Sequence, residues 1–152
     1  MSIKLKQLFM IGIAGLIITP AVSFSADSED LIKYRRGVMK AVGGHMSATS
    51  LIVRGKVPHK NQLKQHVNAL KLLTNDIPAL FPEDSDFGET RARAEIWERQ
   101  EDFAKAAKTS NDSIANLLKA VEGGNDSDIQ ASFKKVGQGC KGCHKDFREK
   151  DQ

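Results

Sequence analysis

Residues 126–148 read DSDIQASFKKVGQGCKGCHKDFR. Ile129, Phe133, Val136, Cys140, Cys143 and Phe147 recur at three- and four-residue intervals, which is one face of a helix. Asp126 or Ser127 suits the cap of its first turn, and Gly123-Gly124-Asn125 ends whatever precedes it. The same period continues upstream. Ile96, Phe103, Ala106/Ala107, Ser110, Ile114, Leu117/Leu118 and Val121 predict a helix that starts between Arg91 and Glu95. Leu63, His66/Val67, Leu70, Leu73 and Ile77 predict another that ends near Pro78. A first helix starts at Ser28, with Leu31, Tyr34, Val38, Val42, Met46, Thr49 and Ile52 or Val53 on its apolar face, and Gly55 and Pro58 stop it. Phe81 to Thr90, with Pro82, four acids and Gly88, has little periodicity and is a loop. No period-two pattern appears. The expected fold is all-α, an antiparallel up-and-down four-helix bundle.

The chain has 152 residues, enough for one domain. Its 23 basic and 19 acidic residues leave a net charge of +4, dispersed among acids, which gives no basis for nucleic-acid binding. Met1 to Ser25 has the form of a cleaved export signal. Lys4 and Lys6 make a positive start, Leu8 to Ile18 an apolar run, and Ser23 and Ser25 a small-residue cleavage site. That run is well short of the ~20 residues of a spanning helix, so the mature domain, 26–152, is expected free of the membrane. Cleavage removes two lysines and no acid, leaving 127 residues with a charge of +2. Export implies the periplasm, an oxidising compartment in which a free cysteine pair would oxidise unless its sulfurs were otherwise engaged.

The two cysteines form Cys140-Lys141-Gly142-Cys143-His144, and C-x-x-C-H is the attachment motif of a c-type haem. Thiols at i and i+3 share a helix face, so each can add to one vinyl group of the same macrocycle. The next residue, His144, is then carried under the porphyrin as an axial iron ligand. A thioredoxin-like dithiol would open a helix after a strand, whereas this pair lies late in the last helix of an all-helical chain. A zinc site would need two further ligands, and His45, His59 and His66 come without a second cysteine pair.

The motif lies nine residues from the C-terminus of a helical bundle. In that the chain resembles the class II cytochromes c, meaning the cytochrome c' family and its low-spin relatives. The resemblance runs through Lys33-Tyr34-Arg35 with Met39-Lys40, Gly55-Lys56-Val57-Pro58, Glu95-Ile96-Trp97, and Val136-Gly137 ahead of Cys140 to Arg148. It implies one haem c, held through Cys140 and Cys143 with His144 as proximal ligand.

In such proteins the first helix supplies the residue on the distal side of the iron. A non-coordinating Leu, Phe or Tyr leaves a five-coordinate, high-spin haem open to NO and other small gases. A methionine ligates the iron and makes a low-spin electron carrier of raised reduction potential. The matching position here is Met39, most like the low-spin branch, with Gly43 and Gly44 allowing a flat macrocycle near the backbone. Met46 is the competitor on nearly the same face, about 10.5 Å further along the axis. The family pattern also implies that Arg35, and with it Arg36, pairs with a haem propionate through the guanidinium fork. Arg148, one turn past His144, lies along the proximal face or haem edge. Trp97 is read as a packing residue.

Lys134, Lys135, Lys141, Lys145 and Lys150 crowd the last helix, either as an ordinary solvated surface or as a docking patch for an acidic redox protein. The expectation is therefore a carrier of single electrons between redox proteins, with no enzymatic chemistry of its own, as a monomer or homodimer. The alternative is a five-coordinate gas binder.

Overall fold

The computed structural model describes residues 27–150; the proposed signal segment, 1–25, lies outside the described residues. Four long helices and one short one form the chain: α1 Ser28–Val53, α2 Leu63–Leu73, α3 Glu95–Glu98, α4 Gln100–Gly123 and α5 Asp126–Phe147. α1 packs on α2 and α5, and α4 packs on α2 and α5, closing the expected bundle. No strand occurs among the described residues. Among the described residues there is one isolated antiparallel bridge, between Ala92 and Arg148.

The caps fall one residue earlier than the sequence pattern places them. The Asp27 side chain accepts from the Glu29 amide at 2.9 Å and begins α1 in place of Ser28. Asn125 accepts from the Ser127 and Asp128 amides at 2.9 and 3.1 Å and begins α5. In both cases the side-chain oxygen fills an amide that the first turn leaves open. Gly124 ends α4 in the left-handed conformation, φ 73°, as the Gly-Gly pair predicts.

Two elements depart from expectation more clearly. The third helix is interrupted at Arg99, whose backbone (φ −126°, ψ 52°) separates α3 from α4. The break lets Trp97 turn its indole N–H to the Pro82 carbonyl, 3.0 Å away, and set its ring edge-on to Phe81. α2 ends at Leu73, and Ile77 belongs to the turn that leads into a 3-10 segment, Pro78–Leu80. In α1 the buried face is shifted in the first turns. Ile32 and Arg35 are buried, while Tyr34 is 66% exposed and not on the apolar side. From Thr49 to Ile52 the predicted face holds.

The core is in two parts. Ile52, Leu63, Val67, Leu70, Ile114, Leu117, Ile129 and Val136 form a close-packed aliphatic group from α1, α2, α4 and α5. Ile96, Phe103 and Phe147 form a second group, with Phe81, Trp97 and Ile77 packed against it.

Candidate haem site

Between α1, the 74–92 segment, the first half of α4 and the end of α5 lies a cavity of about 1130 Å³. It exceeds the roughly 300–1,000 Å³ usual for ligand pockets. Its walls bring together Met39, Gly43 and Met46 of α1, Ile77 and Phe81, Phe103, Ser110 and Ile114 of α4, and Cys140, Cys143, His144 and Arg148 at the end of α5. Residues 100 positions apart in sequence thus face one space.

Glycine at 139, just before Cys140, sets how closely the walls approach. A Cβ there would stand 3.2 Å from the Ser110 Cα, tighter than ordinary contact, so glycine lets α5 lie this near to α4 without displacing it. On the opposite wall a Cβ at Gly43 would meet nothing within 4 Å, and the backbone there opens onto the cavity. Gly44 is not among the lining residues, so of the two expected glycines only Gly43 serves the space.

Cys140 and Cys143 are unpaired and half-buried. Cys140 packs on the aliphatic group and Cys143 on the aromatic one, so the pair spans the junction of the two cores. Burial pushes both thiols up, Cys143 to about 11. Both are therefore S–H at neutral pH, unlike a dithiol redox pair, which needs a lowered thiol pKa. Burial is also the main cause that pushes His144 below its ordinary value, and the charges of Arg148 and Arg91 add to it. The imidazole is held neutral with a lone pair available, as a metal ligand requires. Among the described residues no group of three or more His, Cys, Asp or Glu side chains is arranged to hold a bare metal ion.

The structure departs from the sequence reading of Arg35. The side chain borders the cavity, but its guanidinium donates to Ser85 Oγ at 2.9 Å, Ser85 O at 3.0 Å, Thr90 Oγ1 at 2.9 Å and Leu80 O at 3.4 Å. It also lies over the Phe81 ring, 4.6 Å from the centroid. Four of its five N–H groups are thus spent on the 80–90 segment, and Arg35 acts first as a tie between α1 and that loop. Arg36 is exposed and bound to Glu89, through the carbonyl at 3.0 Å and the carboxylate at 3.3 Å. Arg148 ends α5 and borders the cavity beside His144. Arg91 borders it too; the sequence pattern allows it at the start of the third helix, but that helix begins at Glu95, and the Ala92–Arg148 bridge folds the segment before it against α5.

The fit to a flat, largely apolar macrocycle is good: a large cavity, aromatic and aliphatic walls, two neutral thiols one turn apart and a neutral imidazole beside them. A helical bundle whose last helix presents C-x-x-C-H to such a space defines a monohaem c-type cytochrome.

The comparisons with known proteins agree. The family described as Cytochrome C' matches residues 30–148. A cytochrome c' from Rhodospirillum rubrum is 30% identical over 145 residues, 95% of this chain and 99% of that protein. A cytochrome c-556 from Agrobacterium fabrum is 32% identical over 152 residues, 99% of each. A solved nitric oxide complex of a leucine-to-isoleucine variant of cytochrome c' from Alcaligenes xylosoxidans superposes with a TM-score of 0.76 at 32% identity, covering 82% of this chain and 98% of that one. The chain belongs to the cytochrome c' family and carries one covalently bound haem c. These relatives do not support the expected low-spin branch, and the solved nitric oxide complex backs the gas-binding alternative better.

Proposed function

We propose that this chain is an exported, periplasmic carrier of single electrons, in which His144 and Met39 would both ligate the haem iron. The observation that carries this reading is that Met39 and His144, on α1 and α5, border the same cavity. When bound, the haem supplies a one-electron iron couple. Cys140 and Cys143 would hold it covalently through their sulfurs. His144, kept neutral by burial and by Arg91 and Arg148, gives its lone pair from the proximal side. Met39 would offer a neutral thioether to the iron, and a soft, neutral ligand favours the reduced state. Phe81, Phe103, Ile77 and Ile96 keep water from the macrocycle. Arg36 and Arg148 stand at the cavity border where propionates need a cation. Arg35 holds the loop that closes this side. No helix among the described residues is long and apolar enough to cross a membrane. The proposed working form is a mature domain of 26–152 that meets redox partner proteins, as a monomer or homodimer.

The second reading is a five-coordinate haem that binds small gases, and the nitric oxide complex of the Alcaligenes relative favours it. Optical spectra of the two oxidation states separate the two. Met39 ligation gives a low-spin spectrum with the weak long-wavelength ferric band of an iron–thioether bond, and slow uptake of CO by the ferrous form. Met39→Leu then converts it to a high-spin, CO-binding protein. A high-spin wild type that takes up CO or NO readily overturns the carrier reading and establishes the second. A spectrum unchanged by Met39→Leu but lost in Met46→Leu moves the ligand to Met46.

A further inference from the structure

His45 of α1 and His66 of α2 lie away from the residues assigned to the haem. Their Nδ1 atoms are 2.9 Å apart, with the ring centroids separated by 5.2 Å and the planes inclined at 58°. Both are half-buried where the two helices pack. Neither borders the haem cavity, although Met46, the next residue in the chain after His45, does. One turn after His45 on the same face of α1, Thr49 is fully buried and its Oγ1 has no hydrogen-bond partner. Buried hydroxyls are normally paired, so this one marks a place where a further polar group is wanted.

We infer that His45 and His66 form a two-histidine site for a divalent transition metal, Cu²⁺ before Zn²⁺. The distance is informative. Two metal–nitrogen bonds of about 2.0–2.1 Å put their nitrogens about 2.8–3.3 Å apart between a right angle and a tetrahedral one, so the 2.9 Å pair needs only a small turn of each ring to share an ion. Right-angled cis positions are those of tetragonal Cu²⁺ or Ni²⁺, and the affinity order of divalent ions favours Cu²⁺. In the hydrogen-bonded pair one ring donates its Nδ1 proton to the other. Metal binding moves that proton to the donor's own Nε2, so both rings bind as neutral imidazoles and no electron is transferred. Each ring turns so that the two lone pairs converge on the ion. With no third His, Cys, Asp or Glu arranged nearby among the described residues, water completes the coordination.

The test uses the haem-loaded protein, in which the expected iron ligand His144 is engaged. Calorimetric titration with Cu²⁺ is expected to give one ion per chain, and electron paramagnetic resonance to show coupling to two imidazole nitrogens. Losing an outer-shell partner of a ligand already costs about 10–100-fold in affinity, so His45→Gln and His66→Gln should each weaken binding at least about tenfold. His59→Gln, in an exposed loop, should leave it unchanged. Zn²⁺ should bind more weakly than Cu²⁺ at the same site. Far-UV circular dichroism of each variant checks that the bundle persists, and His66→Asn is the substitute if His66→Gln does not fold. No stoichiometric uptake overturns the site. So does uptake that survives either substitution, or coupling to a single nitrogen.

Discussion

The aliphatic and aromatic cores of the bundle are built on different terms. Ile52, Leu63, Val67, Leu70, Ile114, Leu117, Ile129 and Val136 come from four regular helices, and each fills a gap left by the others. Ile96, Phe103 and Phe147 are fewer. Phe103 meets Phe81 and Phe147 by ring edges, at 5.0 and 5.1 Å between centroids, and all three rings border the cavity with Ile96. The aliphatic group packs mostly away from the cavity, with Ile114 reaching its wall, whereas Ile96, Phe103 and Phe147 of the aromatic group all line it. Leu117→Ala tests the first half of that contrast. It should lower unfolding stability by about 2–5 kcal/mol, the cost of a buried leucine cavity, and leave the haem spectrum in place. Phe103→Ala should cost about 3–5 kcal/mol as well, but also shift the haem absorption and speed access of external ligands. If Leu117→Ala alters the haem spectrum and Phe103→Ala does not, the division between the two cores is wrong.

Next in size is the tie that holds the aromatic wall to α1. Removing a partner from buried polar groups costs about 1–3 kcal/mol, so Arg35→Met should destabilise by that order. It leaves Ser85 and Thr90 without their guanidinium donor and should raise hydrogen exchange of the 81–90 backbone. If instead the loop exchanges as before and only the haem potential moves, Arg35 serves a propionate, as the family pattern implies.

The same contrast explains what could be read from the chain. The aliphatic core was legible because it is made by helix periodicity alone: Ile129, Val136, Leu117 and Leu70 all stand where a 3.6-residue repeat puts them. C-x-x-C-H was legible because the chemistry needs those residues adjacent. The aromatic end was not, since its parts meet by tertiary contact. An arginine reads as solvent-facing until Ser85, Thr90 and Leu80, 45 to 55 residues away, satisfy it. That pairing turns the start of α1 so that Tyr34 faces out and Ile32 faces in. The break at Arg99 has no glycine or proline to announce it. It follows from where Trp97 finds an acceptor in the loop.

The smallest effect concerns protons at the junction of the two cores. Burial pushes the Cys143 thiol from 9.0 to about 11, with the neighbouring Cys140 and Asp146 adding to it. In the haem-free chain the folded state therefore binds a proton that the unfolded state releases above pH 9. The linkage makes stability pH-independent in this group below about 9, and stability falls as pH rises from there through about 11. Because the side chain is only half-buried, solvent screening keeps the effect small. Urea midpoints of haem-free protein at pH 8 and pH 10.5 should differ in that sense, and Cys143→Ala should reduce the difference. In the haem-bound protein the sulfur is a thioether with no proton to lose, so the same pH step should leave this contribution at zero. A drop of equal size with and without haem would mean that the titration belongs to another group and that Cys143 is not a tether.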